Sequence, residues 1–154
     1  MLARAAAALA LAAFVALPAC AQAPAKAAPA ASVVVDDALY RALGGQPGLV
    51  ALMDDFVPRL VADPKIGHFF AKTDLANFKD MLVQQVCVVS GGGCNYRGAN
   101  MKLAHEEHDI RMADFNRLVE DLQVSMEARG IPFATQNQLL ARLAPMHRDI
   151  VNTH

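Results

Sequence analysis

The chain predicts an all-α fold, and three observations carry that prediction. Apolar residues recur at three- and four-residue spacing from Val35 onward, and no stretch sustains alternation of apolar with polar residues. Glycine pairs and prolines mostly punctuate the periodic runs. Val33-Val34-Val35 is the one short run that can extend.

Composition narrows the function before any motif is read. The 154 residues leave room for one domain once a leader is set aside. With no Trp and two Tyr, the core must be aliphatic with a few Phe. That core is modest for this length, and a large apolar cofactor would help fill it. A net charge of -1 offers no electrostatic footprint for nucleic acid.

Residues 1–20 read as an export signal. Arg4 supplies the positive end, and Ala5 to Leu17 form an apolar run well short of the ~20 residues that span a bilayer. Leu17-Pro18-Ala19-Cys20 resembles a bacterial lipobox, in which Cys20 would be lipidated. Ala19-Cys20-Ala21 also fits a simple signal-peptidase site, so both routes stay open. Residues 21–35, rich in Ala and Pro, read as a tether, and 36–154 as the folded domain. The expected location is the periplasm, with membrane attachment only through Cys20.

Asp36 or Asp37 caps a short helix through Leu43, stopped by Gly44-Gly45. Leu49, Val50, Met53, Phe56, Val57 and Leu60 place an amphipathic helix over residues 47–62, with a kink or early break expected at Pro58. Ile66 to Phe70 form a tight corner. Thr73 or Asp74 caps a helix over residues 74–90, ended by Gly91-Gly92-Gly93. A short helix then presents Met101 and His105 on one face, four residues apart. Phe115, Leu118, Val119, Leu122 and Met126 define a helix over residues 112–128, stopped by Gly130 and Pro132. Thr135 and Gln138 suggest a capping box for a last helix over residues 135–152, with Leu139, Leu143, Met146 or His147, and Ile150 along one side.

The order of motifs resembles a known family. Leu39-Tyr40 with Gly44-Gly45 is followed by Asp55-Phe56, Ala62-Asp63-Pro64 and Phe69-Phe70-Ala71. Then come Gly91-Gly92, Tyr96-x-Gly98, Met101-x-x-x-His105, Ile110 and Asp114-Phe115. This is similar to the group 1 truncated haemoglobins, and the likeness spans about residues 39–152. It implies a two-over-two helical sandwich around haem, with a diatomic gas as ligand and an electron donor that the residues do not identify.

His105 corresponds to the family's proximal iron ligand, and neutral imidazole suits that role. His108, one turn on, is the runner-up. The resemblance assigns Met101 to the proximal haem surface. Phe69 or Phe70 is the residue that wedges against the porphyrin, Phe70 being preferred, and Phe115 is an apolar contact. Tyr96 leads the candidates for the propionates, ahead of Arg97, Lys79 and Lys72. No Cys-x-x-Cys-His motif argues for covalent attachment, so haem b is expected.

The distal side departs from the family. Many relatives carry a Tyr after the Phe of this second helix, where it donates a hydrogen bond to the gas, but here Val57 follows Phe56. Phe78, Leu82 and Val86 line the same site without a hydroxyl or imidazole. Gln85 can offer an amide, and Met81 can reach the iron as a sixth ligand. Loss of the donor weakens retention of O₂ by roughly 1.5–3 kcal/mol.

Cys87 and Cys94, seven apart, pair as a disulfide in an exported chain. The favoured reading is reversible binding of O₂, NO or CO. A haem enzyme of the peroxidase or NO dioxygenase kind lacks a distal acid–base group among Val57, Phe78 and Leu82. Redox relay or sensing, and a structural lipoprotein without cofactor, are the remaining alternatives.

Overall fold

The computed structural model describes residues 36–153, so the expected signal with Cys20 and the expected tether lie outside the described residues. Helix α1 spans Ala38–Ala42, and Asp36 Oδ1 accepts from the Ala38 N–H at 3.2 Å. Helix α2 spans Gly45–Ala62, two residues earlier than the periodicity suggests. Gly44 and Gly45 both take left-handed backbone, at φ 88° and 61°, so the chain reverses and re-enters a helix without a spacer. The expected break at Pro58 does not occur. Pro58 and Asp54 are both exposed, so water can satisfy the Asp54 carbonyl that the proline leaves unbonded.

A 3₁₀ turn, Gly67–Phe70, makes the expected aromatic corner. Helix α3 spans Leu75–Ser90, and Asp74 caps it by accepting from the N–H groups of Ala76 and Asn77. Gly91 ends it at φ 89°, pressed so closely on the Asp36 carbonyl that no Cβ fits. Gly92 lies as tightly against the Tyr40 ring and Cys87 Sγ. The double glycine thus seats the start of the domain on the end of α3.

Helix α4 is one turn, Met101–His105, and α5 spans Met112–Ala128 as expected. The last helix differs from the single one expected. Helix α6 spans Phe133–Leu143, a 3₁₀ turn covers Ala144–Met146, and α7 spans His147–Ile150. Pro145 has no N–H to continue the α-helical ladder, so the chain tightens there. Pro132, not Thr135, occupies the start of α6. Its extended backbone (φ -58°, ψ 141°) leads into the helix, and buried Thr135 sits inside the first turn.

Helices α2 and α3 pack together, as do α5 and α6, while α2 meets α5 and α3 meets α6. This is the two-over-two sandwich. Its centre holds Leu49, Leu52, Met53, Phe56 and Leu60 of α2 against Val83 and Val86, Leu122 and Met126, and Leu139. Each such side chain contributes ~1.5–3 kcal/mol by leaving water.

A polar knot joins α2 to α5 at one edge. Arg117 donates to Asp63 Oδ2 at 2.7 Å and to Glu120 at 2.8 Å, and pairs with Asp121 Oδ1 at 2.9 Å. Burial pulls the Asp63 pKa upward, but the hydrogen bond from Arg117 and the backbone N–H groups of Ile66 and Lys65 outweigh it, so the net shift is down. Asp121 moves the other way. Burial raises its pKa, and Oδ2 has no hydrogen-bond partner among the described residues.

Candidate functional site

Helix α4 exists because Asn100 caps it: the Asn100 side chain accepts from the Leu103 N–H at 2.8 Å. Met101 and His105 then share the inward face, both half-buried, while Lys102, Leu103 and Ala104 are exposed. Nδ1 of His105 lies 2.6 Å from the Met101 carbonyl oxygen. A carbonyl only accepts, so Nδ1 carries the hydrogen, and in the neutral ring the lone pair is left on Nε2. The same contact holds the ring along the helix face. His108 is exposed beyond the helix, its ring edge-on to Phe69 at 6.3 Å.

The expected apolar residues gather in two groups. Phe70 and Phe78 pack with centroids 5.2 Å apart, and with Phe69 and Leu82 they lean on the core while staying half-buried. Phe115 meets the His147 ring edge-on at 6.2 Å. Phe56, Val57 and Val86 are fully buried. Met81 is half-buried on α3. Gln85 is committed elsewhere: its amide donates to Met146 Sδ at 3.6 Å. Met146 was legible in the sequence only as one more apolar position on the final helix.

The polar candidates separate. Lys79 pairs with Asp54 at 2.8 Å, a hydrogen bond that raises its pKa and ties α3 to α2. Lys72 and Arg97 are exposed, and the Arg97 N–H donates to Gln84 Oε1 at 3.1 Å. Tyr96 folds its phenol over Gly98, and burial pushes its pKa up, so the hydroxyl stays protonated. Cys87, wholly buried in α3, is bonded to Cys94 with Cα atoms 5.8 Å apart. The bridge joins the end of α3 to the loop that leads through Tyr96 to α4.

A large flat apolar cofactor with one metal fits these residues. Phe69, Phe70, Phe78, Leu82, Met101 and Phe115 are inward apolar side chains that the protein alone leaves half-open. One imidazole with its orientation fixed is the only donor type the fit requires. No group of three or more His, Cys, Asp or Glu among the described residues is placed to hold a bare metal ion. Two surface cavities of about 600 and 520 Å³ lie beside Arg111, His147 and Arg148, and beside Asp55, Arg59 and Asp121, the first adjoining Phe115 through His147.

Comparison with known proteins gives this arrangement a family. The bacterial-like globin model matches residues 38–152. The group 1 truncated hemoglobin GlbN of Mycolicibacterium paratuberculosis is 30% identical over 112 residues, covering 73% of this chain and 82% of that protein. The GlbN of Synechocystis sp. is 32% identical over 124 residues, covering 74% and 97%. Among solved structures, the truncated hemoglobin of Tetrahymena pyriformis in its Fe(III) form aligns at a TM-score of 0.72 and 24% identity, over 75% of this chain and 98% of that one. The 2/2 hemoglobin of Synechococcus sp., in the cyanomet state and with covalently attached heme, aligns at 0.70 and 21% identity, over 74% and 98%. At those identities the structures speak to the fold, while the family model and the sequence relatives speak to descent. The chain belongs to the bacterial-like globin family, among the group 1 truncated haemoglobins.

Proposed function

We propose that this globin binds a diatomic gas reversibly on haem, with His105 as the axial ligand from the protein and an apolar wall opposite. As a globin the chain takes haem, which when bound would supply an iron able to hold a diatomic gas. The observation that carries the reading is the 2.6 Å contact of His105 Nδ1 with the Met101 carbonyl, which leaves Nε2 as the free donor atom. Met101 and Phe115 supply apolar contact to the cofactor, Phe70 and Phe78 wedge against it, and Tyr96 serves the propionates.

The opposite wall is Val57, Phe78, Leu82 and Val86, with Phe56 behind. None of these can donate a hydrogen bond or move a proton. Such a wall favours binding and release over peroxide cleavage or dioxygenation. The cofactor of this proposal is haem b, because the chain has no Cys-x-x-Cys-His motif to offer for thioether attachment.

Export is part of the same proposal. Residues 1–20 act as the signal, with Cys20 lipidated if the lipobox is used, residues 21–35 tether the domain, and 36–154 fold as the globin in the periplasm. The Cys87–Cys94 bridge supports this, because disulfides persist in oxidising compartments.

The test is CO and O₂ binding by the reduced, haem-loaded chain. The expected result is a Soret shift with CO and fast O₂ dissociation. A low-spin six-coordinate ferrous spectrum that CO cannot displace would refute open binding and implicate Met81.

A further inference from the structure

The geometry points to Asn152 as a positioning residue for the axial histidine, acting through the backbone of α4 from the far end of the chain. This inference rests on the reading of His105 as the iron ligand. Asn152 Nδ2 donates to the His105 carbonyl oxygen at 2.7 Å across 47 residues of sequence. The same segment is pinned twice more, since the N–H groups of Asn152 and Thr153 both donate to the Ile110 carbonyl at 3.1 and 3.2 Å. The last residues of the domain therefore bracket the segment from His105 to Ile110, which enters and leaves the turn after α4.

That bracket answers a local weakness. Helix α4 is a single turn, too short to hold its own geometry, and the last carbonyls of any helix lack partners within it. The His105 carbonyl accepts from the His108 N–H at 3.1 Å and from Asn152. Beyond it the chain takes a left-handed backbone at Asp109, φ 49°, an unfavourable conformation for a residue with a side chain. Buried Ile110 then anchors the turn, and its carbonyl is the one that takes both strap N–H groups.

His105 is thus held from both sides. Its Nδ1 is tied back to Met101 within α4, which sets the ring. Its own carbonyl is tied forward to Asn152, which sets the backbone that carries the ring. Losing the Asn152 donor leaves the His105 carbonyl with the His108 N–H alone, which loosens the backbone of the ligand without removing the Met101 contact of the ring. Asn152→Asp keeps the shape, removes the N–H donor, and turns a carboxylate toward a carbonyl oxygen and the negative end of α4.

The experiment reads the iron–histidine stretching band of the ferrous haem-loaded chain by resonance Raman, together with haem loss to an excess of haem acceptor. Asn152→Asp and the uncharged Asn152→Ala should keep a Soret band, shift the stretching band to lower frequency and broaden it, and speed haem loss by about 2- to 10-fold. Repeating the comparison in His105→Gly supplied with imidazole separates positioning from general damage. Free imidazole is not tethered to α4, so the substitutions at Asn152 should leave its band unmoved. An unchanged band and haem-loss rate in the His105 background would overturn the proposal, as would equal shifts in both backgrounds. A His105→Gly chain that keeps the wild-type band without imidazole would instead overturn the ligand assignment on which it rests.

Discussion

The amide of Gln85 donates to the thioether of Met146 at 3.6 Å, linking α3 to the turn before α7. The amide that the sequence offers as a distal donor is therefore turned toward a sulfur on another helix. The Gln85→Leu substitution should change O₂ dissociation by less than about threefold, as expected when no hydrogen bond to the gas is lost. Stopped-flow displacement of O₂ by CO measures it. A tenfold acceleration would mean that the amide leaves Met146 and serves the gas.

The complementary substitution restores a donor where many relatives carry one. Val57→Tyr, next to buried Phe56, should slow O₂ dissociation by about 10- to 150-fold, the equivalent of ~1.5–3 kcal/mol for a hydrogen bond to a charged group. An unchanged rate would place Val57 off the distal wall.

The Cys87–Cys94 bridge closes a short loop, and its loss should destabilise the domain by about 2–3 kcal/mol. Urea unfolding of the oxidised chain against Cys94→Ser gives the difference. The bridge also anchors the loop before Tyr96, so haem loss should be faster in the variant. Equal stability of the two proteins would show that the loop is ordered by Gly92 against Tyr40 and not by the bridge.

The two buried aspartates on Arg117 should respond to pH with opposite signs. The folded pKa of Asp63 lies below its ordinary 3.8, so its stabilising contribution is present above that value and lost as pH falls through the lowered one. The Asp63→Asn variant should therefore show a larger stability deficit at neutral pH than in acid. For Asp121 the folded pKa lies above 3.8, so its contribution is complete below 3.8 and is lost as pH rises through the raised value. The Asp121→Asn variant should gain on the wild type as pH rises from 4. Unfolding free energies measured across pH 3–8 decide it, and curves for both variants that run parallel to the wild type would contradict both signs.

Much of the architecture was legible because its signals are local. Asp74 and Gly91 start and stop α3 through bonds to their own neighbours, so its limits could be read directly, while the equally local cap that Asn100 gives α4 went unread. Tertiary context decided the rest. Pro58 breaks nothing because it faces water, while Pro145 does end a helix, and the apolar spacing of Leu143, Met146 and Ile150 concealed that. Met101 and His105 were singled out by spacing and family pattern, and the fold sets both half-buried on α4. Asn152 carried no such signal, since an Asn near a chain end is ordinary until the fold brings it to the His105 carbonyl.

The absorption spectrum of the haem-loaded chain and its histidine variants bears most directly on His105. Wild type and His108→Ala should give the same Soret band, and His105→Ala should lose or strongly shift it. A wild-type spectrum in His105→Ala, with loss in His108→Ala, would contradict the assignment and move the iron ligand one turn along the chain.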